Sequence, residues 1–84
     1  MLQIFRGIAF TLQGFHDAAV EVFKTVIAKS SLSEEVLNRA LVERAKCYQA
    51  MGKKAMAIKD LEKILAREGD YPEIKELISE VEKT

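Results

Sequence analysis

Apolar side chains recur at helical spacing along the whole chain, and no useful stretch alternates apolar with polar residues. The pattern predicts helices and no strands. Leu2, Phe5, Ile8 or Ala9, and Leu12 mark a first helix, punctuated by Gly14. Ala18, Ala19, Val22, Phe23, Val26 and Ile27 form a second stripe, with Asp17, Glu21, Lys24 and Thr25 opposite. The run Ser30-Ser31-Leu32-Ser33 is a break. Ser31 with Glu34 fits a capping box, and Ser33 is an alternative cap. A third helix carries Val36, Leu37, Ala40, Leu41, Ala45 and Tyr48 on one side, and Gly52 ends it. A fourth runs from about Lys54 to Glu68, with Ala57, Ile58, Leu61, Ile64 and Leu65 inward. Gly69-Asp70-Tyr71-Pro72 reads as a loop, with Pro72 suited to a first helical position. A fifth helix to about Lys83 shows Ile74, Leu77, Ile78 and Val81 as a narrow stripe.

The chain also repeats itself. A displacement of 38 residues lays Arg6 on Arg44, Gly14 on Gly52, Ala19 on Ala57 and Ala28 on Ala66. Gly7 then meets Ala45, Phe10 meets Tyr48, Val20 meets Ile58, Phe23 meets Leu61, Val26 meets Ile64, and Ile27 meets Leu65. Residue size is preserved at each place: small on small, aromatic on aromatic, bulky on bulky. A period of this length signals a solenoid of helix pairs.

At these residues the chain resembles the tetratricopeptide repeat family. The matching features are Gly7, Phe10, Gly14, Ala19 and Phe23 in the first unit, and Ala45, Tyr48, Gly52, Ala57 and Leu61 in the second. Close helix crossings need small residues where backbones approach, and the turn needs a residue free to take positive φ. The resemblance implies an all-α fold, with antiparallel helix pairs stacked as a short right-handed solenoid of five helices. Repeat one would span about 1–30, repeat two about 33–69, and a capping helix about 72–83, all in a single domain, 1–84. A plain five-helix bundle shares every helix and differs in topology. The chain departs from the family at Gln3 and Leu41 (Trp in the family), at Arg6 and Arg44 (Leu), and at Ser31 and Gly69 (Pro). The excess over the family's 34-residue period is placed in the Ser-rich linker.

Composition narrows the function classes. Eighty-four residues leave room for one domain. Thirteen basic and thirteen acidic residues cancel, so the cationic excess of a nucleic-acid binder is missing. One Cys and one His build neither a disulfide nor an ordinary zinc site. The first fifteen residues hold nine hydrophobic residues and one charge, Arg6, but they show no cleavage pattern and no run long enough to span a membrane. A cytoplasmic protein is expected.

No residue cluster suggests chemistry. His16 reads as a helix-start residue, and Cys47 as a packing residue. Glu34 and Glu35 suit a helix N-terminus, and Glu35 stands four before Arg39 as a supportive pair. The lysines at 46, 53, 54, 59 and 63 are interleaved with acids. The expectation is no enzyme, no cofactor and no metal, with neither nucleic acid nor membrane as partner.

The leading functional expectation is a protein–protein interaction module that binds a partner helix or peptide. Carried over from the resemblance, its groove would present Met1, Ile4, Ile8, Thr11 and Leu12 from the first helix. Arg39, Val42, Glu43, Lys46 and Gln49 would join from the third. A clamp for C-terminal carboxylates is disfavoured, because Ile4, Ile8 and Glu43 stand at its places. The rival expectation is the structural C-terminal end of a longer helical-repeat protein. Charge is lopsided: residues 1–42 carry 8 charged side chains and residues 43–84 carry 18. The first helix is apolar around nearly its full circumference. Ile4, Ile8 and Leu12 are therefore expected to remain as a patch through which the chain forms a homodimer.

Overall fold

The computed structural model describes residues 2–29, 33–71 and 73–83. It is all-α. Five helices follow in chain order: α1 (Leu2–Leu12), α2 (His16–Ala28), α3 (Glu34–Ala50), α4 (Lys54–Arg67) and α5 (Ile74–Lys83). Among the described residues there is no strand. Each helix packs on the next, and α1 also reaches α3.

The turns after α1 and α3 are built alike. Gly14 and Gly52 take φ of 83° and 79°, the left-handed region that a side chain resists. The Gly14 N–H donates to the Thr11 carbonyl at 3.0 Å, and the Phe15 N–H to the Phe10 carbonyl at 2.8 Å. Thirty-eight residues on, Gly52 donates to Gln49 at 3.1 Å and Lys53 to Tyr48 at 2.7 Å. This paired closure satisfies carbonyls that a helix end leaves open, and it reverses the chain within three residues. Lys54 Nζ donates to the Glu82 carbonyl at 3.2 Å, which ties the start of α4 to the end of α5.

The repeat continues into the packing. In the first pair Gly7 lies against the ring of Phe23, which is fully buried. In the second, Ala45 and Leu61 share one core cluster. The larger small residue goes with the smaller large one. Ala19 and Ala57 are both fully buried. The two arginines also correspond. The Arg6 guanidinium lies 6.0 Å from the Phe10 ring centre, and that of Arg44 lies 5.6 Å from Tyr48. Stacking on an aromatic face accounts for a cation at a place where an aliphatic residue was expected.

Two buried clusters make the core. Ile4, Ala19, Phe23, Val26, Ala40 and Cys47 join α1, α2 and α3. Leu41, Val42, Ala45, Tyr48, Ala57, Leu61, Ile64, Ile74 and Val81 join α3, α4 and α5. Val20 and Ile27 pack against both. Phe10, Leu37, Leu65, Leu77 and Ile78 are only half-buried, while Ile4 and Val42 lie deeper than the stripes suggested.

Several local expectations need correction. Ser33 caps α3, its Oγ accepting from the Val36 N–H at 3.4 Å; Ser31 lies outside the described residues, as does the linker around it. Arg39 pairs forward with Glu43 at 3.1 Å rather than back with Glu35. The half-buried Glu43 also draws Lys46, at 3.9 Å. α5 runs from Ile74; the expectation for Pro72 lies outside the described residues. Glu73, just before α5, takes φ of 65°.

Candidate functional site

The nine described residues among the ten expected to line a groove do not share one surface. Ile4 is 1% exposed, packed with Phe23, Ala40 and Cys47. Val42, its counterpart 38 residues on, is buried in the other cluster. Ile8 is half-buried at the edge of the first cluster. Thr11 is spent on the interior: its hydroxyl donates to the Gly7 carbonyl at 3.0 Å and lies 3.1 Å from Cys47 Sγ. Gln49 is half-buried. On α3, Arg39, Glu43 and Lys46 form a self-paired charged strip. Of the groove residues expected from the first helix, only Leu12 stands fully in solvent; Met1 lies outside the described residues.

The patch expected from Ile4, Ile8 and Leu12 is therefore wrong in its first two members. What α1 exposes is a different stripe: Leu2 at 85%, Phe5 at 57%, Ala9, and Leu12 at 83%, with Phe15 following at 58%. The spacing is three, four, three, which keeps all four α1 residues on one side of a helix. The cause is Gly7. Close approach of α2 requires the side without a side chain to face inward. Residues three before and four after it, Ile4 and Thr11, must follow it in. The opposite side then carries positions 2, 5, 9 and 12. Apolarity alone does not give the facing of α1, because apolar residues occur nearly all round this helix; the fit of Gly7 against Phe23 does.

The second unit shows part of the same side covered. The counterparts of Leu2 and Ala9 are Ala40 and Cys47, both fully buried under the first helix pair. The counterparts of Phe5 and Leu12 are the half-buried Glu43 and the exposed Ala50, so α3 is covered at two of the four places that α1 displays.

The remaining polar groups serve the interior. Arg44 meets Asp60 through two hydrogen bonds of 2.7 Å, and Asp60 is almost wholly buried. That hydrogen bonding raises the Arg44 pKa further, against the lowering by burial. In the first unit Val22 stands where Asp60 would be, so Arg6 lacks the matching carboxylate. Asn38, also buried, accepts from Arg67 at the end of α4. Burial pushes the Cys47 thiol pKa up. The Thr11 hydroxyl lies against the thiol, and its hydrogen bond opposes that rise. Such a thiol is held neutral and is a poor nucleophile. His16 starts α2, with its Nδ1 enclosed and unpartnered among the described residues.

An open cleft of about 450 Å³ has Ile27, Leu37, Leu41 and Ala66 on its floor and Lys63 and Arg67 at its rim. Both cations are already engaged, by Asp60 and Asn38. Among the described residues no group of three His, Cys, Asp or Glu is placed to hold a metal ion, and no helix is long and apolar enough to cross a membrane. Comparison of the chain with protein-family models, with curated proteins and with solved structures finds no match.

Proposed function

We propose that the chain is a protein-interaction module whose docking surface is the outward stripe of α1. The observation that carries this is the alignment of Leu2, Phe5 and Leu12, each more than half exposed, along one side of a helix. Fully covering each would contribute about 1.5–3 kcal/mol. Association costs about 4–15 kcal/mol, so the surface alone supports weak binding. The fitting partner is an amphipathic helix. Arg6 is the only charge on α1 and favours acidic flanks on that partner.

A tetratricopeptide-like stack of helix pairs is the architecture that goes with this reading. Its support is the geometry repeated at 38 residues: two glycine turns, two stacked arginines, and a small and a large residue sharing the core of each pair. On this reading the chain is cytoplasmic, is not an enzyme, and needs no cofactor, metal, nucleic acid or membrane.

A designed peptide with leucine at heptad seam positions and glutamate beside them tests the proposal. Fluorescence anisotropy should report saturable binding that Leu12→Glu abolishes without loss of helical circular dichroism. Absence of binding, or binding indifferent to Leu12, would sink it.

A second reading is favoured by one observation: the α3 residues equivalent to Leu2 and Ala9, Ala40 and Cys47, are covered by a helix pair. The stripe would then be the stacking surface for another pair, and the chain the C-terminal end of a helical-repeat protein. A tandem chain carrying residues 1–38 twice decides between the two. Stacking predicts a higher thermal midpoint than the single chain shows, and no gain refutes it.

A further inference from the structure

We infer that the occupant of the α1 stripe is a second copy of the same chain, bound antiparallel about a two-fold axis level with Gly7. The inference rests on the interaction reading above and names its partner. The stripe Leu2, Phe5, Ala9, Leu12 reads the same in both directions, because its spacing is three, four, three. Antiparallel pairing sets Leu2 against Leu12 of the second copy and Phe5 against Ala9. The exposed ring of Phe5 then meets the one small side chain in the stripe. Parallel pairing sets Phe5 on Phe5 and Ala9 on Ala9, crowding one level and leaving a gap at the next. Volume matching of this kind is what close packing rewards.

Charge and topology agree. The stripe holds no charged residue, and Arg6 is turned along α1 to stack on Phe10. Two copies thus meet without placing like charges in contact. Head-to-tail assembly is closed off, because the side of α4 that would receive a further helix is already packed by α5. What remains is contact between like surfaces, which closes at two copies. Large side chains of roughly 150–200 Å² each offer, with the exposures observed, on the order of 400–500 Å² per copy. A pair then buries on the order of 1,000 Å², the lower bound for a specific interface. The expected dimer is weak, with Kd on the order of 10–100 µM.

Sedimentation equilibrium of the full chain from about 1 µM to about 1 mM brackets that affinity. The mass should rise from 9.5 kDa toward twice that value. Leu2→Glu and Leu12→Lys, each alone, should remain monomeric to the top concentration with unchanged helical dichroism, since both positions lie in solvent. Mixing the two variants in equal amounts should restore a dimer, because the antiparallel pair sets the introduced carboxylate against the introduced ammonium. A mixture that stays monomeric while the unsubstituted chain dimerises refutes the antiparallel arrangement. An unsubstituted chain that is monomeric at 1 mM, about ten times the weakest expected Kd, refutes the inference altogether. The designed-peptide titration separates the two levels. A monomeric chain that still binds the peptide through Leu12 leaves the interaction reading standing and removes only the second copy.

Discussion

The ring of Phe23 occupies the space that a side chain at position 7 would need: a Cβ on Gly7 would lie 2.4 Å from Phe23 Cε1. This contact sets how closely α1 and α2 approach and, through the helical wheel, which side of α1 faces water. Gly7→Ala should therefore destabilise the fold by about 1–3 kcal/mol through overpacking, less the roughly 1 kcal/mol gained in helix propensity. The second unit supplies the compensating pair, Ala45 with Leu61. Combining Gly7→Ala with Phe23→Leu should recover part of the loss. Urea unfolding of the four chains of the cycle measures the coupling, about 0.5–3 kcal/mol for residues in contact. Additivity would mean that the two helix pairs are not equivalent.

Truncation should be severe. Phe23→Ala removes a fully buried ring and should cost about 3–5 kcal/mol. A domain of this size has little more than that in total, so the variant should be largely unfolded by circular dichroism at 37 °C. A thermal midpoint close to that of the unsubstituted chain would contradict the packing described here.

Asp60 and Arg44 are held by two short hydrogen bonds at a site largely closed to water. Asp60→Ala leaves the cation half-enclosed and unpaired, a loss of about 3 kcal/mol. Asp60→Leu with Arg44→Met removes both charges and should lie within about 1 kcal/mol of the parent. If the double variant is as unstable as Asp60→Ala, the ion pair matters for more than its own neutralisation.

Cys47 should be silent toward thiol reagents until the chain opens. Its labelling rate should follow unfolding, rising with urea. The pH dependence has a defined sign. The thiol pKa is raised in the folded chain by burial, and further by Glu43, against the Thr11 hydrogen bond. The neutral thiol is thus favoured in the fold. Its contribution is intact below the ordinary thiol pKa, about 8.5, and declines as pH rises beyond it. Thermal midpoints between about pH 7 and 10 should fall more steeply for the parent than for Cys47→Ala.

Positive φ gives three positions opposite expectations. Gly14→Ala and Gly52→Ala each force a side chain into the left-handed region and should cost about 1–2 kcal/mol, though neither Cβ would touch a neighbour. Glu73 already bears that strain at φ of 65°, so Glu73→Gly should raise the thermal midpoint slightly. Equal effects of one sign at all three would show that backbone strain is not what these positions share.

Local signals were enough to determine the helices, their number and the two turns. Hydrophobic spacing of three and four, Gly14 and Gly52 at the reversals and a cap residue before α3 all act within a few residues, so they are legible from the chain alone. The 38-residue repeat was legible for the same reason, since it restates local requirements twice. What only the tertiary structure decided was orientation. On α1 every side is apolar, so burial energy by itself prefers no facing; the steric demand of the Phe23 ring on Gly7 breaks the tie. That choice draws Ile4 and Thr11 inward and leaves Leu2, Phe5, Ala9 and Leu12 in water. The same long-range fit joins Arg44 to Asp60 and sets Cys47 in hydrogen-bond contact with Thr11. Each of these contacts spans 16 or 36 positions in sequence, beyond the reach of any periodicity.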